Sequence, residues 1–163
     1  MATLVAYDPA RHGDALRALW MAYAEEMAVP LREEAGLAVD PAAGVARLLA
    51  FGGTVLGCGA VRQIAPGVAE VKRMYLCPAA RGRSPGRAIL GELLATARGF
   101  GCRDTRLDSA WFMTDAQRLY RAAGFEECAP YPESEAPPAL AARWTYMRLD
   151  LTTGASPWAA APP

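Results

Sequence analysis

Arg81-Gly82-Arg83-Ser84-Pro85-Gly86-Arg87 packs three arginines, two glycines and a proline into one short run. Each arginine carries a planar fork of N–H donors that fits phosphate oxygens, and glycine lets a backbone come close to a bulky anion. If a helix opens here, its first N–H groups and the positive end of its dipole serve the same purpose. Basic residues at a helix start oppose the dipole unless an anion compensates them, so the run reads either as an anion site or as a solvated basic loop. It is neither a P-loop, since no Gly-Lys-Ser/Thr follows, nor a G-x-G-x-x-G fingerprint. The surroundings favour a small anionic ligand: Lys72 to Arg106 holds eight basic and two acidic residues in a chain whose formal net charge is zero. A chain with no net charge offers no global field for nucleic acid or an anionic membrane.

Other reactive side chains are sparse. Cys58, Cys77, Cys102 and Cys128 stand far apart without a C-x-x-C pair or a nearby histidine, which argues against a metal site and for reduced thiols. The single histidine, His12, leaves Ser-His-Asp and multi-histidine metal chemistry little material. Met1 to Asp8 lacks a signal-peptide pattern and no apolar run nears ~20 residues, so a cytoplasmic protein without membrane contact is expected. The 163 residues suit one domain, expected over 1–151, with a mobile Ala- and Pro-rich tail over 152–163.

The elements that position these residues follow from periodicity. Thr3 to Tyr7 alternates as a strand, and Asp8-Pro9 caps a helix to about Met27 with Leu16, Leu19, Trp20, Tyr23 and Met27 on one stripe. Pro30 to Gly44 is broken by Pro30, Gly36 and Pro41 and is expected to hold at most short helices. Leu48–Phe51, Val55–Ile64 and Val68–Leu76 read as three adjacent antiparallel strands turned at Gly52-Gly53 and Pro66-Gly67. Pro78 ends the third, and Pro85 starts a helix bearing Ile89, Leu90, Leu93, Leu94 and Ala97 until Gly99 and Gly101. Thr105 to Ser109 is a strand, parallel to its predecessor across that helix. Thr114 and Gln117 have the spacing of a capping box, opening a helix that stops before Gly124. Phe125–Ala129 and Trp144–Leu151 close the chain as strands around a loop from Pro130 to Arg143, giving an α+β domain with a mixed sheet.

On three ordered motifs the chain resembles the GNAT superfamily of N-acetyltransferases. Arg81-x-x-Ser84-x-Gly86 stands where that family carries Arg or Gln, two residues, Gly, one residue, then Gly or Ala. Val71-Lys72-Arg73-Met74-Tyr75-Leu76-x-Pro78 looks like its fourth strand, and Leu119-Tyr120-Arg121-x-x-Gly124-Phe125 like the end of its fourth helix. The resemblance implies a mixed, mostly antiparallel six- to seven-stranded sheet with helices on both faces and a splay between strands 4 and 5. It implies acetyl-CoA as cofactor, with pantetheine on the fourth-strand backbone near Met74, Tyr75 and Leu76. The pyrophosphate would sit on Gly82, Arg83, Ser84, Gly86 and Arg87 with the Arg81 guanidinium, and Ser109, Met113 and Tyr120 would add contacts. Two positions depart from the pattern: Ser84 replaces the first motif glycine, and Met113 stands where many relatives carry asparagine.

The implied reaction is direct attack of a primary amine of a small molecule, peptide or protein on the thioester. A lysine-like amine, with a pKa of roughly 10.4, must lose a proton first, and Glu70 is placed by the resemblance as base, directly or through a water. A backbone N–H near Leu76 would meet the carbonyl oxygen, and Tyr120 would protonate the departing thiolate. Trp20, Tyr23, Glu26, Tyr131, Glu133 and Glu135 fall where the family keeps its acceptor groove, although Trp20 and Tyr23 also fit the apolar stripe. The resemblance allows a homodimer through shared edge strands. The irregular motif leaves a non-catalytic acyl-CoA-binding, sensing module as the alternative reading, and a longer acyl group as a variant of the first.

Overall fold

The alternating start of the chain forms β1 (Thr3–Ala6), and Asp8 caps the helix that follows, α1 (Pro9–Leu31). Asp8 Oδ1 accepts the Ala10 N–H at 2.9 Å, and the Asp8 N–H donates back to His12 Nδ1 at 3.0 Å. His12 thus closes a reciprocal cap, so the one imidazole serves the helix start. α1 runs past Met27 and through Pro30 to Leu31, further than its apolar stripe suggests. The computed structural model of the chain describes residues 3–31, 45–51, 54–82 and 85–153. The expected irregular segment from residue 32 on, the Gly52-Gly53 turn, Arg83-Ser84 and the tail from residue 154 lie outside these.

The remaining elements are β2 (Val45–Phe51), β3 (Thr54–Ala65), β4 (Val68–Leu76), α2 (Pro85–Gly99), β5 (Asp104–Ala110), α3 (Thr114–Ala122), β6 (Glu126–Glu127) and β7 (Trp144–Asp150). Short 3-10 turns cover Pro78–Ala80 and Pro138–Arg143. The strands hydrogen-bond in the order β1-β2-β3-β4-β5-β7-β6, a seven-stranded mixed sheet. β3 and β4 are joined through only Pro66-Gly67, with Gly67 at φ 75°, and so short a link requires antiparallel neighbours.

By its internal contacts the chain divides into two compact units, Met1–Ala60 with Arg73–Leu93, and Val61–Lys72 with Leu94–Pro163. In the first, β1 pairs antiparallel with β2 from Thr3↔Ala50 to Ala6↔Arg47. Leu16, Leu19 and Trp20 of α1 are buried with Cys58 and Tyr75, and Tyr23 packs half-buried against them. The start of α2 lies directly on β3: a Cβ at Gly59 would stand 2.7 Å from Ile89 Cγ2 and 2.9 Å from Leu93 Cδ1. Glycine at that position is what allows the helix to approach.

In the second unit β5 is paired on one side over its whole length, antiparallel to β7 from Asp104↔Asp150 to Ala110↔Trp144. On the other side it runs parallel to β4, as a crossover through a helix demands, but only through Val68↔Asp104, Ala69↔Thr105 and Glu70↔Arg106. Both strands continue beyond that point, β4 to Leu76 and β5 to Ala110. The closing strand expected over Phe125–Ala129 shrinks to the two residues of β6, paired with Arg148 and Met147 of β7. The capping box expected at Thr114 and Gln117 does not form. Met113 is the cap residue, without a side-chain bond, because the buried Gln117 amide donates instead to the Ala110 carbonyl at 2.8 Å.

Candidate active site

In the first unit the feature that departs from regular strand geometry is Arg73, which sits at φ 52° inside β4. A non-glycine residue in the left-handed region costs about 1 kcal/mol or more and persists where the surroundings demand it. It breaks the strand's alternation directly before Met74, Tyr75 and Leu76, the stretch where the family resemblance implies a pantetheine arm. β4 then passes through Pro78–Ala80 to Arg81, Gly82 and the first turn of α2, where Pro85 occupies the opening position and Gly86 is buried. The first turn of an α-helix has N–H groups with no intrahelical partner, and this one contains no acidic side chain.

Arg81 is half-exposed but engaged by protein groups. Its Nη2 donates to both Glu26 oxygens at 2.7 and 2.5 Å, and its Nε to the Leu76 carbonyl at 3.0 Å. The guanidinium also lies 5.7 Å from the Tyr75 ring centroid. Glu26 Oε1 further accepts the Tyr75 hydroxyl at 2.7 Å. Burial pulls the Glu26 carboxyl upward, but the bonds from Tyr75 and Arg81 outweigh it and hold the group below its ordinary value. Burial and the Glu26 carboxylate push the Tyr75 phenol up to about 12. Glu26, Tyr75 and Arg81, three residues singled out for different roles, therefore form one cluster. Trp20 belongs to the core, with the Arg73 guanidinium 6.0 Å from its ring. Arg87 is exposed.

In the second unit Glu70 is a hub. Its side chain is 2% exposed; Oε2 accepts Arg62 Nε at 2.7 Å and Oε1 accepts the Tyr131 hydroxyl at 3.0 Å. Lys72, two residues along the same face of β4, brings its ammonium within 3.7 Å of Glu70 Oε2 and hydrogen-bonds Glu135. Arg62 also donates to the Glu133 carbonyl at 3.2 Å, so Glu133 enters through its backbone while its side chain stays exposed. Burial, with the carboxylates of Asp108 and Glu70 nearby, raises the Tyr131 phenol well above its ordinary range and keeps it a donor. The loop is pinned at a further point, where Asp108 accepts Ser134 Oγ at 2.7 Å and Trp144 Nε1 at 3.0 Å.

Tyr120 is buried in α3 at 6% exposure, its ring 5.9 Å from Phe125, and Met113 is half-buried at the start of that helix. On the buried face of β5, Ser109 Oγ meets no hydrogen-bond partner among the described residues. A buried hydroxyl in that condition fits a polar ligand group placed against it. No grouping of His, Cys, Asp and Glu suited to a metal ion occurs among the described residues, and no described helix is long and apolar enough to cross a membrane. Sequence reasoning missed Arg62 and Asp108 and quoted Lys72 only as part of a motif. The legible signal was Arg62 four residues before Pro66 and Glu70 three after Gly67, opposite charges facing across a hairpin.

Comparison with known proteins gives the family and the fold. A Schizosaccharomyces pombe protein described as an uncharacterized N-acetyltransferase is 34% identical over 101 residues, 61% of this chain and 59% of that one. An Azospirillum brasilense protein named IAA acetyltransferase is 38% identical over 80 residues, 48% of this chain and 52% of that one. The chain thus spans little more than half the length of these relatives. In fold it is similar to a Salmonella typhimurium protein solved with its cofactor acetyl-CoA, with a TM-score of 0.64 at 20% identity over 98% of this chain and 99% of that one. Residues 14–125 match the model of the acetyltransferase (GNAT) family, a span from α1 through the β4 break and the arginine turn to the end of α3, and the chain belongs to that family.

Proposed function

We propose that this protein transfers the acetyl group of acetyl-CoA to a primary amine by direct attack, without a covalent enzyme intermediate. Bound acetyl-CoA supplies the acyl group already activated as a thioester. The observation that carries the reading is the left-handed break at Arg73, which interrupts β4 immediately before Met74–Leu76 and so supports that stretch as the backbone partner of a pantetheine amide. The residues present fit such a ligand. The first turn of α2 holds a buried glycine and no acid for a diphosphate, and Ser109 keeps a buried hydroxyl for a polar atom of the arm.

In this reading Gly82, Gly86 and Arg87 bind the diphosphate with Arg83 and Ser84, and Met113 lines the arm. The Leu76 N–H faces the carbonyl oxygen as charge develops there. Tyr120 donates its phenol proton to the leaving thiolate. Glu70, buried at 2% exposure, takes the amine's surplus proton through a water that bonds a remaining lone pair of its carboxylate. Trp20 and Tyr23 support the acceptor side by packing α1, while Glu26, Tyr131 and Glu133 act there through the bonds described above.

The test follows release of CoA thiol from acetyl-CoA with a panel of small amines, polyamines, amino acids and peptides. At least one amine should support release above background hydrolysis, and Tyr120→Phe should lower the limiting chemical rate by about 10²–10⁴. Tight CoA binding with no transfer to any amine would overturn the catalytic reading. An unchanged chemical rate in Tyr120→Phe would remove that residue from it.

A further inference from the structure

We infer that Cys58 is a positioning residue for the cofactor: its thiol holds β4 in the broken geometry at Arg73 that directs the Met74 N–H to the pantetheine arm. The inference rests on the acetyltransferase reading for the identity of that ligand. Side chains alternate across β3, and Gly57 and Gly59 are the positions where a Cβ would run into Leu76, Ile89 and Leu93. Cys58 between them points the other way, into the core with Leu16, Leu19 and Trp20 of α1. From there its Sγ–H donates to the Arg73 carbonyl at 3.6 Å. Burial pushes the thiol up to about 12, against the opposing pull of the Trp20 indole N–H and the Tyr75 backbone N–H, which both lie beside the sulfur. Near neutral pH Cys58 is therefore always a donor. The indole N–H meets no other acceptor among the described residues.

These contacts fall where the strand is least able to hold itself. Arg73, at φ 52°, occupies a region that a non-glycine residue keeps only when its surroundings over-determine it. Cys58 and Trp20 supply part of those surroundings. The thiol binds the Arg73 carbonyl, the Arg73 guanidinium lies 6.0 Å from the Trp20 ring, and the sulfur lies beside the N–H of Tyr75, two residues on. A thiol suits the task because it is a weak donor and a weak acceptor at once, in a side chain small and apolar enough for a core. The consequence for the ligand comes from peptide geometry. The Arg73–Met74 peptide is trans, so its carbonyl and the following N–H point in opposite directions. With the Arg73 carbonyl held on the α1 side of the sheet, the Met74 N–H is turned away from that side, where a pantetheine carbonyl accepts it. Without the thiol the carbonyl loses a buried donor, and the peptide is free to rotate back toward regular strand geometry.

Calorimetry compares the binding of CoA and of 3′-phospho-ADP, its nucleotide fragment without the pantetheine arm, in the wild type and three variants, so the readout does not depend on turnover. Cys58→Ala should weaken CoA by about fivefold, the loss that one neutral hydrogen bond gives, and leave the fragment within about twofold of wild type. Cys58→Ser keeps a donor and an acceptor and should recover most of the CoA affinity. Leu16→Val thins the same core without removing any hydrogen bond and should leave both ligands unchanged, which separates positioning from general loosening. Undiminished CoA affinity in Cys58→Ala, an equal loss for the fragment, or Cys58→Ser no better than Cys58→Ala would overturn the inference. The expected pattern of affinities in a protein that acetylates no amine would keep Cys58 in its role while the catalytic reading fails. Acetylation of an amine by the wild type, with CoA affinity undiminished in Cys58→Ala, would do the reverse.

Discussion

Replacing Glu26 by glutamine separates the two partners between which Arg81 must choose. In the structure Glu26 holds the Arg81 guanidinium with two oxygens; in the proposed complex the same guanidinium adds to the diphosphate site at the start of α2. The side chains are 49% and 44% exposed, so solvent screens the pair and its worth lies in the range of exposed ion pairs, about 0.2–1 kcal/mol. Removing the charge costs the free protein that amount at most, since the glutamine oxygen can still accept from Tyr75. The bound complex, in which Arg81 has left Glu26, loses nothing. The difference appears as tighter CoA binding, by up to about 1 kcal/mol or a factor of about five, and it should shrink as salt is raised. Arg81→Ala has the opposite sign, weakening CoA by up to a few kcal/mol through loss of a charged hydrogen bond. Calorimetric titration of CoA into wild type, Glu26→Gln and the neighbouring charge control Glu25→Gln reads the effect. Unchanged or weaker CoA affinity in Glu26→Gln, with melting temperature preserved, would show that Arg81 stays with Glu26 when the cofactor binds. The guanidinium would then be a strut between Leu76, Tyr75 and α1, and only backbone N–H groups of the turn would hold the diphosphate.

Two further outcomes follow from packing and titration. Gly59→Ala sets a Cβ against Ile89 and Leu93 and should cost about 1–3 kcal/mol, a fall of roughly 2–10 °C in thermal melts. Gly91→Ala in α2, where a Cβ meets nothing within 4 Å, should instead add up to about 1 kcal/mol. Burial pushes the Cys58 thiol up to about 12 and the Tyr75 phenol to about 12. The unfolded chain ionises these groups near 8.5 and 10, so their contributions to stability are complete below those values and lost as pH rises toward 12. Denaturant midpoints should fall across that window, less steeply in Cys58→Ala, and Cys58 should resist a thiol reagent at pH 8 until the chain is unfolded.

Local features of this fold were legible because local physics decides them. Pro85 and the stripe Ile89, Leu90, Leu93, Leu94, Ala97 gave α2 its start and its buried face, and all five side chains are buried. Pro66-Gly67 gave the turn between β3 and β4. Where a local pattern had a competing partner it misled: Thr114 and Gln117 match a capping box, yet the Gln117 amide found the Ala110 carbonyl. The polar clusters lay beyond such reasoning altogether. Glu26 meets Arg81 across 55 residues, Tyr131 meets Glu70 across 61, and Lys72 meets Glu135 across 63. No period or motif encodes those pairs; they exist once strands and loop are in place.

That distinction alters how acceptor recognition should be argued. Carboxylates such as Glu26, Glu133 and Glu135 at an acceptor groove would, if uncompensated, draw a cationic amine toward the protein. In the structure Glu26 is compensated by Arg81, and Glu70 and Glu135 share Arg62 and Lys72. Carboxylates already neutralised by adjacent cations exert little field at a distance, so simple attraction of an ammonium group is a weak basis for specificity here. An amine must in any case be uncharged to attack a thioester, and a strongly acidic pocket would stabilise the wrong protonation state.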